Sequence, residues 1–312
     1  MSLRLSVLDQ SPVGEGSSRE EALRSTVALA TALDALGYTR FWLAEHHCSP
    51  GFAGVAPEIL VAAILERTNR MRVGTGGVLL PLYSVEKVAE VFAVLAALHP
   101  GRVDAGLGRA GGPSAGYPDQ LAALVRHLAR AEPGEGPAAA CPWLLGTSRS
   151  SAELAASLGT GYAFGQFLNP APSVEALAYY RDSFAPTSAQ PEPRAALAVR
   201  VVVADTDEAA AALADTILLW RARKDLGQDL PFPTIKTALH HTWTETELTR
   251  RRARSNNLIR GDPDSVRHDL ATMAAGHHVN EIMVNTPLPS FEDRLRSYQL
   301  LADAFELNNK PA

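Results

Sequence analysis

Short apolar runs recur along the chain, separated by longer segments whose apolar positions have helical spacing. Most of the runs are continuously apolar, which is typical of strands that a parallel sheet buries on both faces. We predict strands at residues 3–8, the apolar start of 41–47, 71–80, 103–107, 143–145, 162–164, 196–203 and 281–284. The pattern therefore indicates eight successive strand–helix units.

Capping residues bound the predicted helices. Ser17 or Ser18 is expected to cap the first helix, which has acidic residues in its first turn and ends at Gly37. Pro57 begins the second helix. Eight such units in 312 residues predict one (β/α)8 TIM barrel, with residues 1–312 as a single domain. A doubly wound sheet is less favoured, because no Gly-x-Gly-x-x-Gly follows the first strand.

A polar segment interrupts the alternation before the last strand–helix unit. Residues 225–256 are predicted to be an insertion into the barrel. Within it, the basic run 250–252 is interpreted as the solvated face of a helix.

Composition excludes several classes of protein. The net charge of −5 gives no basic excess for binding nucleic acid or an anionic membrane. No apolar run approaches the roughly 20 residues that span a bilayer, and the N-terminus has no signal-peptide pattern. The two cysteines, Cys48 and Cys141, form neither a disulfide framework nor a metal-type cluster. We therefore expect a cytoplasmic protein without a membrane or nucleic-acid partner.

Ionisable and hydroxyl side chains follow the predicted strands, where the active sites of such barrels lie. They include Asp9, Gln10, Glu45, His46, His47, Arg109 and the hydroxyls of 147–151, and Gly76 and Gly77 lie among them. Histidine exchanges protons near neutral pH, and arginine clamps an anion with two donors. Residues 147–151 lie between a strand and a helix, where free N–H groups bind phosphate.

Each of these signals has a structural alternative. Hydroxyl residues before a helix are most often caps, and glycines in a strand most often mark a bulge or close packing. Adjacent strand residues point to opposite faces, so His46 and His47 are not expected to share a metal, and no metal site is predicted.

Six sequence blocks, in their order, resemble the bacterial luciferase-like flavin monooxygenases, most closely a single-subunit branch that includes natural-product tailoring enzymes. The blocks are residues 9–12, 42–47, 74–81, 100–109, 143–146 with 151–156, and 292–298. The resemblance covers nearly the whole chain. It implies a TIM barrel that receives reduced FMN from a separate flavin reductase. The flavin reacts with O2 to give a C4a-peroxide, which oxygenates a small organic substrate such as a polyketide-type natural product. It also implies a homodimer.

The resemblance assigns roles to particular residues. Glu45 and His46 would lie beside the isoalloxazine ring as the catalytic residues, with His46 transferring a proton. Gly76 and Gly77 would form a peptide bond against the flavin, which is often cis in the family. The residues implied to bind the cofactor are Gly76, Gly77, Arg109, Thr147, Ser148 and Ser151.

One connection departs from the family pattern. Between Arg109 and Trp143 the family has a longer segment with a mobile lid and, in some members, a second phosphate-binding arginine. Arg126 and Arg130 are the candidates to replace that arginine here. The short connection leaves two alternatives open: an F420-dependent hydride-transfer enzyme on the same fold, and a flavin-binding protein without catalysis.

Overall fold

The computed structural model describes residues 3–109, 115–129 and 140–309. Its strands are β1 (Arg4–Asp9), β2 (Arg40–Leu43), β3 (Arg72–Thr75), β4 (Val78–Leu79), β5 (Val103–Gly108), β6 (Cys141–Gly146), β7 (Gly161–Gly165), β8 (Ala195–Val203), β9 (Leu258–Gly261) and β10 (Glu281–Asn285). The strand order is β10-β1-β2-β3-β5-β6-β7-β8, and β8 pairs with β10 to close the ring. These pairings are parallel, and β4 continues the position of β3 beside β5. The predicted eight-stranded barrel is confirmed, because a doubly wound sheet would remain open.

The helices are α1 (Arg19–Ala35), α2 (Pro57–Leu65), α3 (Val85–Leu98), α4 (Tyr117–Ala129), α5 (Arg149–Ser157), α6 (Ser173–Asp182), α7 (Asp207–Asp225), α8 (Ile235–Leu239), α9 (Glu245–Ser255), α10 (Pro263–His277) and α11 (Phe291–Ala304). Ser18 is the N-cap of α1, and its hydroxyl and the Glu21 carboxylate form a reciprocal capping box. Pro57 begins α2, as predicted. In the described residues, no helix has both the length and the apolar composition needed to cross a membrane.

Two apolar layers position the strands. The larger lies between the strands and the surrounding helices and includes Leu29, Phe41, Phe92 and Tyr180. The smaller fills the barrel interior, where the rings of Trp42 and Trp143 meet edge to face at 5.1 Å between centroids. Strands buried on both faces explain why the sequence shows continuous apolar runs.

A buried ionic network closes the N-terminal end of the barrel. Arg40 donates to Asp104 at 2.8 Å and to Glu281 at 2.7 Å, linking β2, β5 and β10. Asp104 also accepts from Arg72 and from the Trp42 indole N–H, at 2.8 and 3.0 Å. Although burial opposes ionisation, these arginines hold the pKa of Asp104 below its ordinary value. Charges at this end of a barrel serve stability, and the chemistry is expected at the other end.

The predicted insertion contains α8 and α9, and β9 follows it. The pattern of apolar residues did not predict β9, a short strand that pairs with the far end of β8 from Arg200 to Val203. The interpretation of 250–252 as solvated is wrong for Arg251, which donates to Asp215 of α7 at 2.6 Å and stacks on Trp243. The pair of Arg251 and Asp215 thus joins α9 to α7.

Candidate active site

A cavity of about 570 Å³ occupies the C-terminal mouth of the barrel. This main cavity is lined by residues that end or follow six strands, among them Gln10, Glu45, His46, Gly76, Gly77, Arg109, Thr147, Ser148, Ser151, Gly165 and Phe167. Every residue to which the resemblance assigns a role therefore lines one cavity. Its volume is in the range of about 300–1,000 Å³ that is usual for sites of small ligands and cofactors.

Glu45 is a buried anchor for the wall that follows β3. Its Oε2 accepts from the Leu79 N–H at 2.9 Å, and its Oε1 accepts from the Tyr83 hydroxyl at 2.6 Å. His47 contacts the same carboxylate from outside and does not line the cavity. Glu45 therefore positions neighbouring backbone, and its oxygens already have partners.

Gly76 and Gly77 make this wall out of bare backbone. The peptide bond between them is cis, as the resemblance implies. A Cβ atom on Gly77 would lie 2.7 Å from the Gly106 carbonyl oxygen, and one on Gly76 would lie 2.6 Å from Leu8 Cδ1. Glycine is required at position 77, because a side chain there would collide with backbone of the neighbouring strand, whereas at position 76 the Leu8 side chain would have to shift.

His46 projects toward the cavity with one ring nitrogen unpartnered. Its ring stacks on Phe52 with centroids 4.2 Å apart, and its Nε2 lies 3.4 Å from Gln10 Nε2. Nδ1 is buried and has no hydrogen-bond partner among the described residues. Burial, followed by the charges of Lys224, His47 and Arg200, lowers the pKa of His46 to about 4. The imidazole is therefore neutral at pH 7.

His47 does not line the main cavity and His46 does, but β2 ends at Leu43, before both residues, so strand alternation is not the reason. Asp9 does not line the main cavity either. Its carboxylate accepts from the Thr26 hydroxyl at 2.9 Å and from Arg294 at 3.0 Å, joining β1 to α1 and α11. The last residue of β1 points out of the barrel, while Gln10 after it points in.

The start of α5 is both a helix cap and a wall of the main cavity. Ser148 is the N-cap, and its Oγ accepts from the Ser151 N–H at 3.3 Å. The Ser151 hydroxyl donates to the Ser148 carbonyl at 2.7 Å and contacts Tyr162. A Cβ on Gly146 would lie 2.1 Å from Ser151 Oγ, so a glycine is needed for this close approach.

Two N–H groups at this helix start are available to a ligand. Helix geometry gives the N–H groups of Arg149 and Ser150 no partner within α5. The side chain of Arg149 turns away and donates to Glu153 and Glu175 at 3.1 and 2.7 Å. Arg109 lines the cavity after β5. The capping interpretation and the phosphate interpretation of residues 147–151 are thus compatible.

The short connection after Arg109 is only partly described. Arg130, residues 110–114 and residues 131–139 lie outside the described residues. Arg126 is exposed on α4 and is not among the residues that line the main cavity. Its position gives no support to the idea that it replaces a second phosphate-binding arginine.

A second cavity, of about 210 Å³, was not anticipated from the sequence. It shares Gln10, His46, Phe167 and Leu168 with the main cavity. We call it the basic recess, because its lining includes Arg200, Arg221, Lys224 and Arg254. Arg200 could have been identified, since it is a lone charge within the apolar strand 196–203. Arg254 could not, because nothing in a polar insertion distinguishes one arginine from the next.

The main cavity fits an extended anionic cofactor with a flat, polar-edged ring. One end offers helix N–H groups and Arg109, which bind a phosphate. The other end offers backbone at Gly76 and Gly77, where a ring can lie close, and the imidazole of His46. These are the elements that FMN requires.

Comparison with known proteins identifies a family and several proteins to which this chain is similar. The profile of the family described as "Luciferase-like monooxygenase" matches residues 3–120 and 120–278. The protein YwcH of Bacillus subtilis (strain 168) is 41% identical, over 96% of this chain and 98% of that protein. The N-acetyl-S-alkylcysteine monooxygenase of the same organism is 32% identical, over 97% of this chain and 98% of that protein. The crystal structure of apo-MsnO8 shares 36% identity with a TM-score of 0.84, covering 100% of this chain and 99% of that chain.

Proposed function

The chain belongs to the luciferase-like monooxygenase family, and we propose that it uses reduced FMN and O2 to oxygenate a small organic substrate. One oxygen atom enters the substrate and the other leaves as water, with the reduced flavin supplying two electrons. Activation of oxygen is the chemistry that the flavin supplies when bound, and the protein binds and orients it. The observation that carries the proposal is the main cavity, which has a phosphate-type site at one end and a backbone wall beside His46 at the other.

The phosphate end would hold FMN through fixed donors. Arg109 supplies charge, and the first N–H groups of α5 supply the favourable end of the helix dipole. Thr147, Ser148 and Ser151 add hydroxyls at the same position. Because Ser148 and Ser151 already bond each other, this end is ordered before a ligand arrives.

The ring end would exclude side chains and place one base. Gly76 and Gly77 offer a surface against which a flat ring can lie, and Glu45 fixes that surface through the Leu79 N–H. His46 lines this end of the cavity and is neutral at pH 7, so its imidazole is able to accept a proton from a bound group. We propose His46 as the proton-transfer residue and Glu45 as the residue that positions the backbone wall beside it.

Several finer expectations stay predictions. They are supply of reduced FMN by a separate reductase, a homodimer, a cytoplasmic location and a polyketide-type substrate. F420 is the alternative cofactor, and a flavin-binding protein without turnover is the alternative function. The binding experiment below distinguishes FMN from F420, and the turnover experiment distinguishes an enzyme from a flavin-binding protein.

Calorimetry with FMN and with F420 tests the cofactor. We expect FMN to bind, with Arg109→Gln weakening it roughly 10- to 100-fold through loss of a charged hydrogen bond. Arg149→Gln is the matched control, because this arginine begins the same phosphate-side helix and faces Glu153 and Glu175. Preference for F420, or equal effects of the two substitutions, contradicts the proposed cofactor site.

Turnover is tested with a flavin reductase, NADH and FMN. The reduced complex mixed with O2 in a stopped-flow instrument should show a phase absent from free reduced flavin. Labelled oxygen should appear in an oxygenated product from a panel of small organic compounds. Identical kinetics with and without protein, and no labelled product, would leave only a flavin-binding protein.

A further inference from the structure

The basic recess concentrates positive charge beside His46. Arg200 comes from β8, Arg221 and Lys224 from α7, and Arg254 from α9. Within the described part of the chain, no acidic side chain lines the recess. Three separate elements therefore direct cations toward one small space.

Carboxylates behind the recess balance only part of this charge. Asp225 pairs with Arg221 at 2.7 Å and with Arg254 at 2.9 Å, so one carboxylate serves two guanidinium groups. Lys224 pairs with Asp229 at 3.2 Å. Two carboxylates thus face three cations, before the fourth is counted.

Arg200 is the fourth cation, and its charge is not balanced. Its Nε donates to Asn285 Oδ1 at 3.2 Å, and its guanidinium lies 4.8 Å from the centroid of the Phe167 ring. No carboxylate lies within 4.0 Å of it in residues 3–109, 115–129 and 140–309. Burial, together with the charges of Arg221 and Arg254, lowers its pKa to about 9. A partly buried charge without a partner is unfavourable, and an anion in the recess would remove the cost.

The rest of the recess is apolar and aromatic. Phe52 and Trp220 form one wall, with ring centroids 5.3 Å apart, and Lys224 Nζ lies 5.2 Å from the Trp220 ring. A ligand here needs an anionic group for the cations and a compact apolar body for the walls. The planar fork of Arg200 matches a carboxylate through two parallel hydrogen bonds.

The recess is separate from the proposed phosphate site. That site lies after β6, at the start of α5, whereas the recess lies at β8, two strands further round the barrel. The two cavities meet at Gln10, His46 and Phe167. A cofactor and a second ligand can therefore occupy the two cavities together, with His46 between them.

We propose that the basic recess binds the carboxylate of the organic substrate, with Arg200 as the primary contact, so that the remainder of the substrate extends past His46 toward the main cavity. This inference rests on the proposed function, because it assigns the substrate of that reaction to the class of small organic carboxylates. Arg200 is then a specificity-determining residue.

The probes are benzoate, phenylacetate and hexanoate, each compared with its neutral amide. Calorimetry on the wild-type chain should show at least one carboxylate binding roughly 10- to 100-fold more tightly than its amide, the loss expected when a charged hydrogen bond is removed. Arg200→Gln should abolish that preference, and Arg200→Lys, which keeps the charge without the fork, should restore part of it. Arg252→Gln is the matched control, since this exposed arginine lies on α9 outside the recess.

FMN affinity of each variant separates the two proposals. Unchanged FMN binding by Arg200→Gln shows that the variant is folded and that the cofactor site is intact. If no probe prefers its carboxylate, or if Arg200→Gln and Arg252→Gln behave alike, the inference is overturned while the proposed function stands. If FMN does not bind the wild-type chain, the proposed function fails, whatever the carboxylates do.

Discussion

Replacing His46 by glutamine should remove a defined part of the acid sensitivity of the fold. Burial first, and then the charges of Lys224, His47 and Arg200, lower the pKa of His46 from its ordinary 6.5 to about 4. In the unfolded chain the imidazole titrates normally. Between these two pKa values the unfolded state binds the additional proton, so the free energy of unfolding decreases as the pH falls through this window.

The magnitude follows from the two pKa values. A shift of this size corresponds to about 3 kcal/mol in full, at 1.36 kcal/mol per unit. Between about pH 7 and about pH 5, the contribution of His46 to the free energy of unfolding falls by about 2 kcal/mol. Glutamine does not titrate and retains a polar end toward the cavity, so His46→Gln should lose about 2 kcal/mol less than wild type over the same interval.

Urea unfolding of both proteins at the two pH values measures how much more unfolding free energy the wild type loses than His46→Gln. The eight other histidines contribute equally to both proteins and cancel. Equal pH dependence in wild type and His46→Gln would refute the reasoning. An NMR titration that gives the His46 imidazole a pKa near 6.5 would refute it as well.

Three further predictions concern catalysis, the helix cap and the barrel base. His46→Gln should slow single turnover by roughly 10²–10⁴-fold with FMN affinity nearly unchanged, as expected for lost proton transfer and measured by stopped flow. Gly146→Ala should lower the free energy of unfolding by about 1–3 kcal/mol, because the new methyl group overpacks against Ser151, and it should weaken FMN binding in calorimetry. Its control is Gly276→Ala, which lies in open space on α10 and should stabilise the protein slightly. Asp104→Asn should cost about 3–5 kcal/mol in urea unfolding, because Arg40 loses a buried partner, without changing FMN affinity of the folded protein.

The barrel could be predicted because each strand has its own local signal. Residues 103–107 and 196–203 are apolar without interruption, and residues such as Ser18 and Pro57 mark helix starts through chemistry that acts within one turn. The main cavity followed from the same logic, since parallel strands place their following residues at one end. Strand β9 was missed because its four residues, Leu258–Gly261, include an arginine and have too few apolar positions to show a period.

The parts that could not be predicted depend on contacts between distant segments. Glu45 and Tyr83 form a hydrogen bond across 38 positions, and Asp9 and Arg294 form an ion pair across 285 positions. Position after a strand suggested that Asp9 faces the mouth of the barrel. Its direction depends instead on where β1 ends, and one residue changes the face. Sequence spacing therefore identifies which residues reach the rim, but tertiary packing decides which of them face the cavity.

The low pKa of His46 and the charge of the basic recess have one physical connection. After burial, the cations that disfavour the imidazolium include Lys224 and Arg200, and both of them also line the recess. A carboxylate bound among them would reduce that positive potential, so the pKa of His46 would rise toward its ordinary value. The imidazole would then accept a proton more readily when substrate is present than when it is absent. Under this proposal the substrate itself would prepare the base, and proton uptake would be favoured in the complex that is ready to react.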